Sequence, residues 1–407
     1  MKVLVNCYAC SPYKGSEPGM GWNFVRCLAK LHELHIITES KFQPDLKTYF
    51  SEHPEERKAY HFYFIRKERH KKLRKIWPPS YYWFYRKWQK DAFKLAQELE
   101  NNEHFDLIHQ LNMIGYREPG YLWKMNKPYV WGPIGGFNIT PWRLLPSMGL
   151  YGSIFFFLRN LINIWQMHTN SRVNNAICRA DAVISATQED QEQIYKLWDV
   201  HSVLITEVGL TDSIVCQNMV MERMSSNPLR VCWSGLHIPR KSLNLLIESI
   251  ALCSNRDNIE LHVLGSGACT NKWKRLSRKL GLSNIRWYGN IDRNKAIEVM
   301  GNSHVFAQTS LSDATSTVLL EALSMGIPVI ALNHLGFANV LTNECGIKIS
   351  VSNKNKIVHD IAHALDWLYE HEDKRIEMSK GAFERAKEFS WDKKAEMIND
   401  IYKKLIQ

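Results

Sequence analysis

Residues 312 to 332 read SDATSTVLLEALSMGIPVIAL and hold two carboxylates, Asp313 and Glu321, with seven residues between them. A carboxylate accepts hydrogen bonds from hydroxyls. Two of them around the hydroxyl run Thr315, Ser316 and Thr317 suit a ligand with hydroxyls on either side of an anion, provided the chain brings both to one place. HVFAQTS predicts a strand ending near Ser310, and LSDAT a loop. STVLLEALSM predicts a helix with Ser316 or Thr317 as N-cap, Gly326 as its stop and Pro328 opening the strand PVIAL. Asp313 then lies on the loop and Glu321 about one turn inside the helix. The helix start adds free backbone N–H groups and partial positive charge, so the two carboxylates suit hydroxyls on either side of a phosphate, an order that sugar, phosphate and ribose fit. The ordinary alternative for Glu321 is the solvent edge of an amphipathic helix, yet a Glu in so apolar a run is seldom buried without a partner.

These residues need a scaffold, and the chain supplies alternating strands and helices. KVLVNCYA is a continuous apolar run suited to a strand covered on both faces, and GWNFVRCLAKL repeats its apolar positions at helical spacing. LHIITE, HFYFI, FDLIHQL, PYVWG and AVISAT follow as short strands, and a helix is expected from about Ser185 to Gln193. After a polar stretch at 209–228 the pattern restarts with LRVCWSG and continues through IELHVLGSG and IRWYGN to HVFAQTS. The expectation is α/β: two doubly wound Rossmann-like domains, 1–208 and 209–390, with a last helix over 391–407. In such sheets ligands gather beyond the carboxyl ends of the strands, so a cleft between the two domains is the expected site.

Placed on this scaffold, S-x-x-D-A-T-S-T-V-L-L-E-A-L resembles the E-x7-E motif of retaining glycosyltransferases of the family 4 type, which have the GT-B fold. The resemblance implies that Asp313, where Glu is usual, contacts the transferred sugar, and that Glu321 binds the ribose. WSGLHIPRKSLNLLI resembles the family's strand, loop and helix around the donor diphosphate: Lys241 matches its Lys, Leu236 stands where Arg is usual, and Arg240 is placed to supply that charge. GSEPGMGW resembles the family's glycine-rich loop near the diphosphate, giving roles to Gly15, Gly19 and Gly21. VLGSG matches a strand end of the donor domain, giving roles to Gly265 and Gly267, and His109 matches a His near the reacting carbon. WGPIGG, 131–136, is a further strand-end glycine loop expected to face the same cleft. For Lys241 the ordinary alternative is a solvated first-turn lysine, and for a lone strand-end His a structural role. FSWDKKAEMINDIYKKL resembles the closing helix that returns toward the first domain.

Composition narrows the partners. The formal net charge is +11, so an acidic partner is expected. Residues 66–90, RKERHKKLRKIWPPSYYWFYRKWQK, interleave cations with Trp and Tyr and suit an anionic lipid surface. The ordinary alternative is a solvated basic helix with its aromatics turned inward. Phe155, Phe156, Phe157, Ile162 and Trp165 add a second apolar patch, in a stretch that carries Arg159 and falls short of a membrane span. No nucleic-acid recognition motif accompanies the basic stretch. The cysteines are odd in number and form no paired framework, and no metal-ligand spacing occurs, so reduced thiols and metal-independent chemistry are expected. The resemblance thus implies transfer of a hexose-type sugar with retention, from a nucleotide-diphosphate donor and without a cofactor, to a glycan or lipid-linked acceptor in polysaccharide synthesis. The place expected is the cytoplasm, peripherally on the inner membrane face. An epimerase-like relative, or a catalytically silent membrane-surface binding protein, are the other readings.

Overall fold

The computed structural model describes residues 1–77, 80–211 and 228–407, without the side chain of Lys71. Cys216, most of the stretch 209–228, and Pro78 and Pro79 of the basic segment lie outside the described residues. The chain divides into two compact units, each a parallel sheet between helices. The first unit comprises Met1–Phe137, Trp165–Gly209 and Trp391–Gln407, and the second Asn138–Ile164 and Leu210–Ser390.

The first sheet contains β1 Lys2–Cys7, β2 Glu33–Glu39, β3 Tyr60–Ile65, β4 Leu107–Asn112, β5 Tyr129–Ile134, β6 Ala182–Ser185 and β7 Val203–Leu204. Their order is β3-β2-β1-β4-β5-β6-β7, all parallel. Apolar runs such as VLV in β1 are buried on both faces because helices cover both sides, as an all-parallel sheet requires. The core joins Val3, Val5, Leu34, Leu107 and Val130 to Trp391, Ile398 and Tyr402 from the helix Trp391–Ile406. Burying a side chain such as Ile398 contributes about 1.5–3 kcal/mol, as an upper bound.

The second sheet contains β8 Leu229–Ser234, β9 Ile259–Leu264, β10 Ile285–Gly289, β11 Val305–Gln308, β12 Val329–Leu332 and β13 Gly346–Ile349. Its order, β10-β9-β8-β11-β12-β13, reverses direction between β8 and β11. That reversal is where doubly wound sheets open a crevice at their carboxyl ends.

Three elements differ from the sequence expectation. Residues 138–164 pack with the second unit, because Leu144, Leu145, Met148 and Phe156 enter its core. The helix expected from Ser185 runs over Gln188–Trp198, since Ser185 still pairs in β6 and Thr187 caps the helix through the amide of Asp190 (3.1 Å). The first helix begins at Glu17, so Gly19 and Gly21 lie in its first turns and not in a loop. A Cβ on Gly21 would collide with the Ala9 carbonyl and Cys7 Sγ, and one on Gly19 with the Lys14 carbonyl. These glycines let the helix lie against the end of β1, whereas Gly15 has open space around it. The Glu17 carboxylate accepts from the Ile114 amide (2.7 Å) and ties the same helix to the segment after β4.

Candidate functional site

Within the second unit, the loops after β8, β9 and β11 meet at the carboxyl edge of the sheet. A Cβ on Gly265, whose φ is +103°, would strike the Gly235 carbonyl, and one on Gly267 would lie 2.7 Å from the His237 carbonyl. These two glycines therefore serve the packing of loop on loop. Trp233 Nε1 donates to Thr309 Oγ1 (3.0 Å), which donates to the Lys241 carbonyl (2.9 Å), and the Leu311 amide donates to the Arg240 carbonyl (2.8 Å). The loop after β8 is thereby fastened along the loop after β11, across the point where strand order reverses.

This fastening brings Arg240, Lys241 and Asp313 together. Arg240 donates to Asp313 Oδ1 (2.7 Å) and to the Ser312 carbonyl (2.6 Å), and Lys241 Nζ pairs with Asp313 Oδ2. Burial alone would raise the Asp313 pKa, but the charges of Lys241 and Arg240 and their hydrogen bonds prevail and hold it below its ordinary value. Lys241 is not a first-turn lysine: it ends the short 3-10 turn Pro239–Lys241, and helix Leu243–Leu252 starts after it. Leu236, at the place of the family's usual Arg, is exposed.

Helix Thr317–Ser324 follows the acid, with Ser316 at the cap position and no capping bond from its hydroxyl. The Leu319 and Leu320 amides donate to the Ser316 carbonyl (3.1 and 3.3 Å), so Thr317 and Val318 carry the amides that a helix start leaves without an intrahelical acceptor. Thr315 is buried against Gly336, where a Cβ would meet its Oγ1. Glu321 is buried and paired with Arg293 (2.5 Å). Arg293 escaped the sequence reading because it comes from another helix, Arg293–Gly301. One signal did exist: a cation in the first turn opposes the helix dipole and so needs another reason to be there. Also unforeseen are Arg159, donating to Ser312 Oγ (3.3 Å), and Asn138, donating to the Asp313 carbonyl (3.5 Å), both from the segment that joins the second unit.

His109 takes the structural role. Its Nε2 donates to the Gly132 carbonyl (2.7 Å) and its Nδ1 accepts from the Tyr402 hydroxyl (2.5 Å), so both ring nitrogens are engaged inside the first unit. Burial lowers its pKa to about 4, against the opposing bond to Gly132. The folded value lies below the ordinary 6.5, so the unfolded chain takes up this proton first as pH falls. The stability held by the neutral ring is complete above about pH 6.5 and has fallen by about 2 kcal/mol at pH 5. Urea melts of wild type and His109→Gln at pH 7 and pH 5 test this: the variant should lack that part of the decline, and an unchanged difference would refute the assignment.

The spacing of residues along the chain had shown no metal-ligand cluster, but strand pairing makes one. His35 lies opposite His61, and both Nε2 atoms approach Glu33 Oε1, at 3.3 and 3.4 Å. With His35 Nδ1 on the Tyr63 hydroxyl (3.0 Å), ordinary hydrogen bonds account for the group. It sits at the amino ends of β2 and β3, on the side of the first sheet opposite its carboxyl-end loops.

Residues 223–385 match the family model described as glycosyl transferases group 1. The matched segment is less than half of the chain. It contains Arg240, Lys241, Asp313, Glu321 and Arg293, whereas Arg159 and Asn138 lie outside it. The chain is 24% identical over 242 residues to a D-inositol 3-phosphate glycosyltransferase of Corynebacterium glutamicum, covering 55% of this chain and 57% of that one. It is 31% identical over 120 residues to the lipopolysaccharide glucosyltransferase WaaG of Escherichia coli, covering 28% and 31%. The chain spans about half the length of the first curated relatives it matches. Among solved structures, Anabaena Alr3699/HepE in complex with UDP matches with a TM-score of 0.66 at 16% identity, covering all of both chains. The chain thus has the GT-B fold.

The basic segment divides between its two readings. Tyr85 and Trp88 are buried, Lys67 Nζ sits 3.4 Å from the Tyr81 ring centroid, and Arg86 and Lys87 pair with Glu118 and Glu68. Ile76, Trp77, Tyr82 and Trp83 stay exposed beside Arg74 and Lys75. Among the described residues no helix is long and apolar enough to cross a membrane.

Proposed function

We propose that the protein transfers a hexose-type sugar, with retention, from a nucleoside-diphosphate sugar to an acceptor hydroxyl. One observation carries this reading: Arg240 and Lys241 converge on Asp313 where strand order reverses in the segment that matches the group 1 model, with Glu321 following on the next helix. A diphosphate entering there competes with Asp313 for the two cations. As they turn to phosphate, the Asp313 oxygens become available to sugar hydroxyls, while Glu321, steadied by Arg293, accepts from the ribose. When the bond from the anomeric carbon to phosphate breaks, Lys241, Arg240 and the amides at Thr317 take up the growing charge. The acceptor oxygen bonds to the same face and its proton passes to the departing phosphate oxygen. Asp313 positions the sugar and is not the nucleophile.

The names of the relatives, which mention inositol phosphate, lipopolysaccharide and UDP, favour a lipid-linked glycan acceptor in polysaccharide synthesis at an anionic membrane face, reached through residues 66–90. Metal-independent turnover belongs to the same reading. The exposed Leu236, carrying no charge, is the observation behind a second reading, a catalytically silent membrane-surface binding protein that keeps the nucleotide site.

A thermal-shift panel of nucleotides and nucleotide sugars, followed by transfer assays with and without chelator, tests this. A ligand at a hundredfold its Kd adds about 2.7 kcal/mol, a shift of several degrees. The expected result is stabilisation by one nucleoside diphosphate and its sugar, with transfer insensitive to chelator. Stabilisation without turnover would favour the silent reading. No shift with any nucleotide would refute both.

A further inference from the structure

Helix Gly149–Thr169 buries Phe156 in the core of its unit but leaves most of its large apolar side chains in solvent. The side it packs on its own unit carries Asn160, which exchanges two hydrogen bonds with the Thr140 backbone (3.1 and 2.8 Å), and Asn163, which donates to the Asn138 carbonyl (3.1 Å). Gly152 is buried on this side too, where a Cβ would lie 2.9 Å from Pro239. The solvent side carries Leu150, Tyr151, Ile154, Phe155, Leu158 and Ile162, each between 51% and 81% exposed. They recur at intervals of three and four, so they form one continuous stripe. A surface helix ordinarily does the reverse, and a continuous apolar stripe of large side chains marks a surface that something covers.

We propose that this stripe lies in the interface of an anionic lipid bilayer, with the helix parallel to the membrane plane. Charge selects lipid as the occupant. Within the second unit, residues 138–164 carry no acidic side chain and two cations, Arg143 and Arg159. The exposed Arg143 follows Trp142, whose ring meets that of Phe157 edge to face at 5.4 Å. An indole and a guanidinium at the border of an apolar stripe match the headgroup boundary, the ring at the interface and the cation on lipid phosphate. A second copy of the chain docked by the same face would oppose like charges and gain nothing from them. The helix falls short of a spanning segment, so it lies on the bilayer. The inference does not rest on the sugar-transfer reading, and it concerns residues other than 66–90. Contact by cations is screened by salt, while burial of an apolar stripe is not.

Co-sedimentation of the full chain with phosphatidylcholine vesicles, with and without phosphatidylglycerol, at low and high salt, tests the proposal. Wild type should bind the anionic vesicles and stay bound at high salt. Phe155→Ser with Leu158→Ser should weaken the salt-resistant binding about tenfold or more. Both side chains are exposed, so the variant should melt like wild type and keep its nucleotide response, which separates failure here from failure of the catalytic reading. Three outcomes would overturn the proposal: no binding by wild type, equal binding by the variant, or a wild-type dimer that the variant makes monomeric.

Discussion

Lys241→Ala is expected to lower the turnover number of sugar transfer about 10²–10³-fold, the loss typical when one fixed group is taken from a developing charge. Folding stability should also fall, by about 1–3 kcal/mol, because both side chains are largely buried and the carboxylate loses one of its two cations. Arg240 keeps Asp313 paired in the variant. A further signature separates a catalytic from a structural lysine. Lys241 is the stronger of the two charges that pull the Asp313 pKa down against burial. The stability that this carboxylate provides is present above its ordinary pKa and is lost as pH falls through the depressed folded value. Without Lys241 that depression shrinks, so the acid limb of the rate profile should move to higher pH. A pH profile with an unmoved acid limb and full turnover would end the assignment.

Asp313→Asn is expected to separate two quantities that an ordinary damaged site loses together. The amide keeps the shape of the carboxylate but removes the charge that Arg240 and Lys241 share. Two cations freed from their internal partner should bind a nucleoside diphosphate at least as tightly as in wild type. Transfer should fall about 100-fold, because the sugar hydroxyls lose a charged acceptor. Calorimetry with the diphosphate and initial rates with the sugar donor measure the two. Parallel losses in both would mean that Asp313 serves only to hold the loop. Since Lys241 and Asp313 touch, their combined loss should be well below the product of the single losses, which a double-mutant cycle reads directly.

How much of this was legible depends on where the partners lie. Asp313, Glu321 and Lys241 follow strands whose apolar runs are plain in the sequence, so their place at a carboxyl edge could be foreseen. Arg293 could not, because its tie to Glu321 joins two helices and leaves no mark in spacing. His109 reads as a strand-end histidine beside a cleft until its partner, Tyr402, arrives from a helix almost at the other end of the sequence. Gly19 and Gly21 look like a ligand loop because a glycine that admits a ligand and one that admits a neighbouring strand are spelled alike; burial decides between them. The stretch 138–164 follows a strand of the first sheet, and local pattern alone does not tell that Leu144 and Phe156 join the other core.

The helix Trp391–Ile406 carries one more consequence. It closes the core around β1, yet it leaves the ribosome after the whole second unit has been made. The first half of the message therefore encodes a unit that cannot finish folding until the last segment emerges, while Leu210–Ser390 has nearly all its parts in one run. A premature stop just before Trp391 would strip the residues encoded first of part of their cover and spare those encoded next to it. Nascent-chain proteolysis should accordingly show Leu210–Ser390 gaining protection before Met1–Phe137.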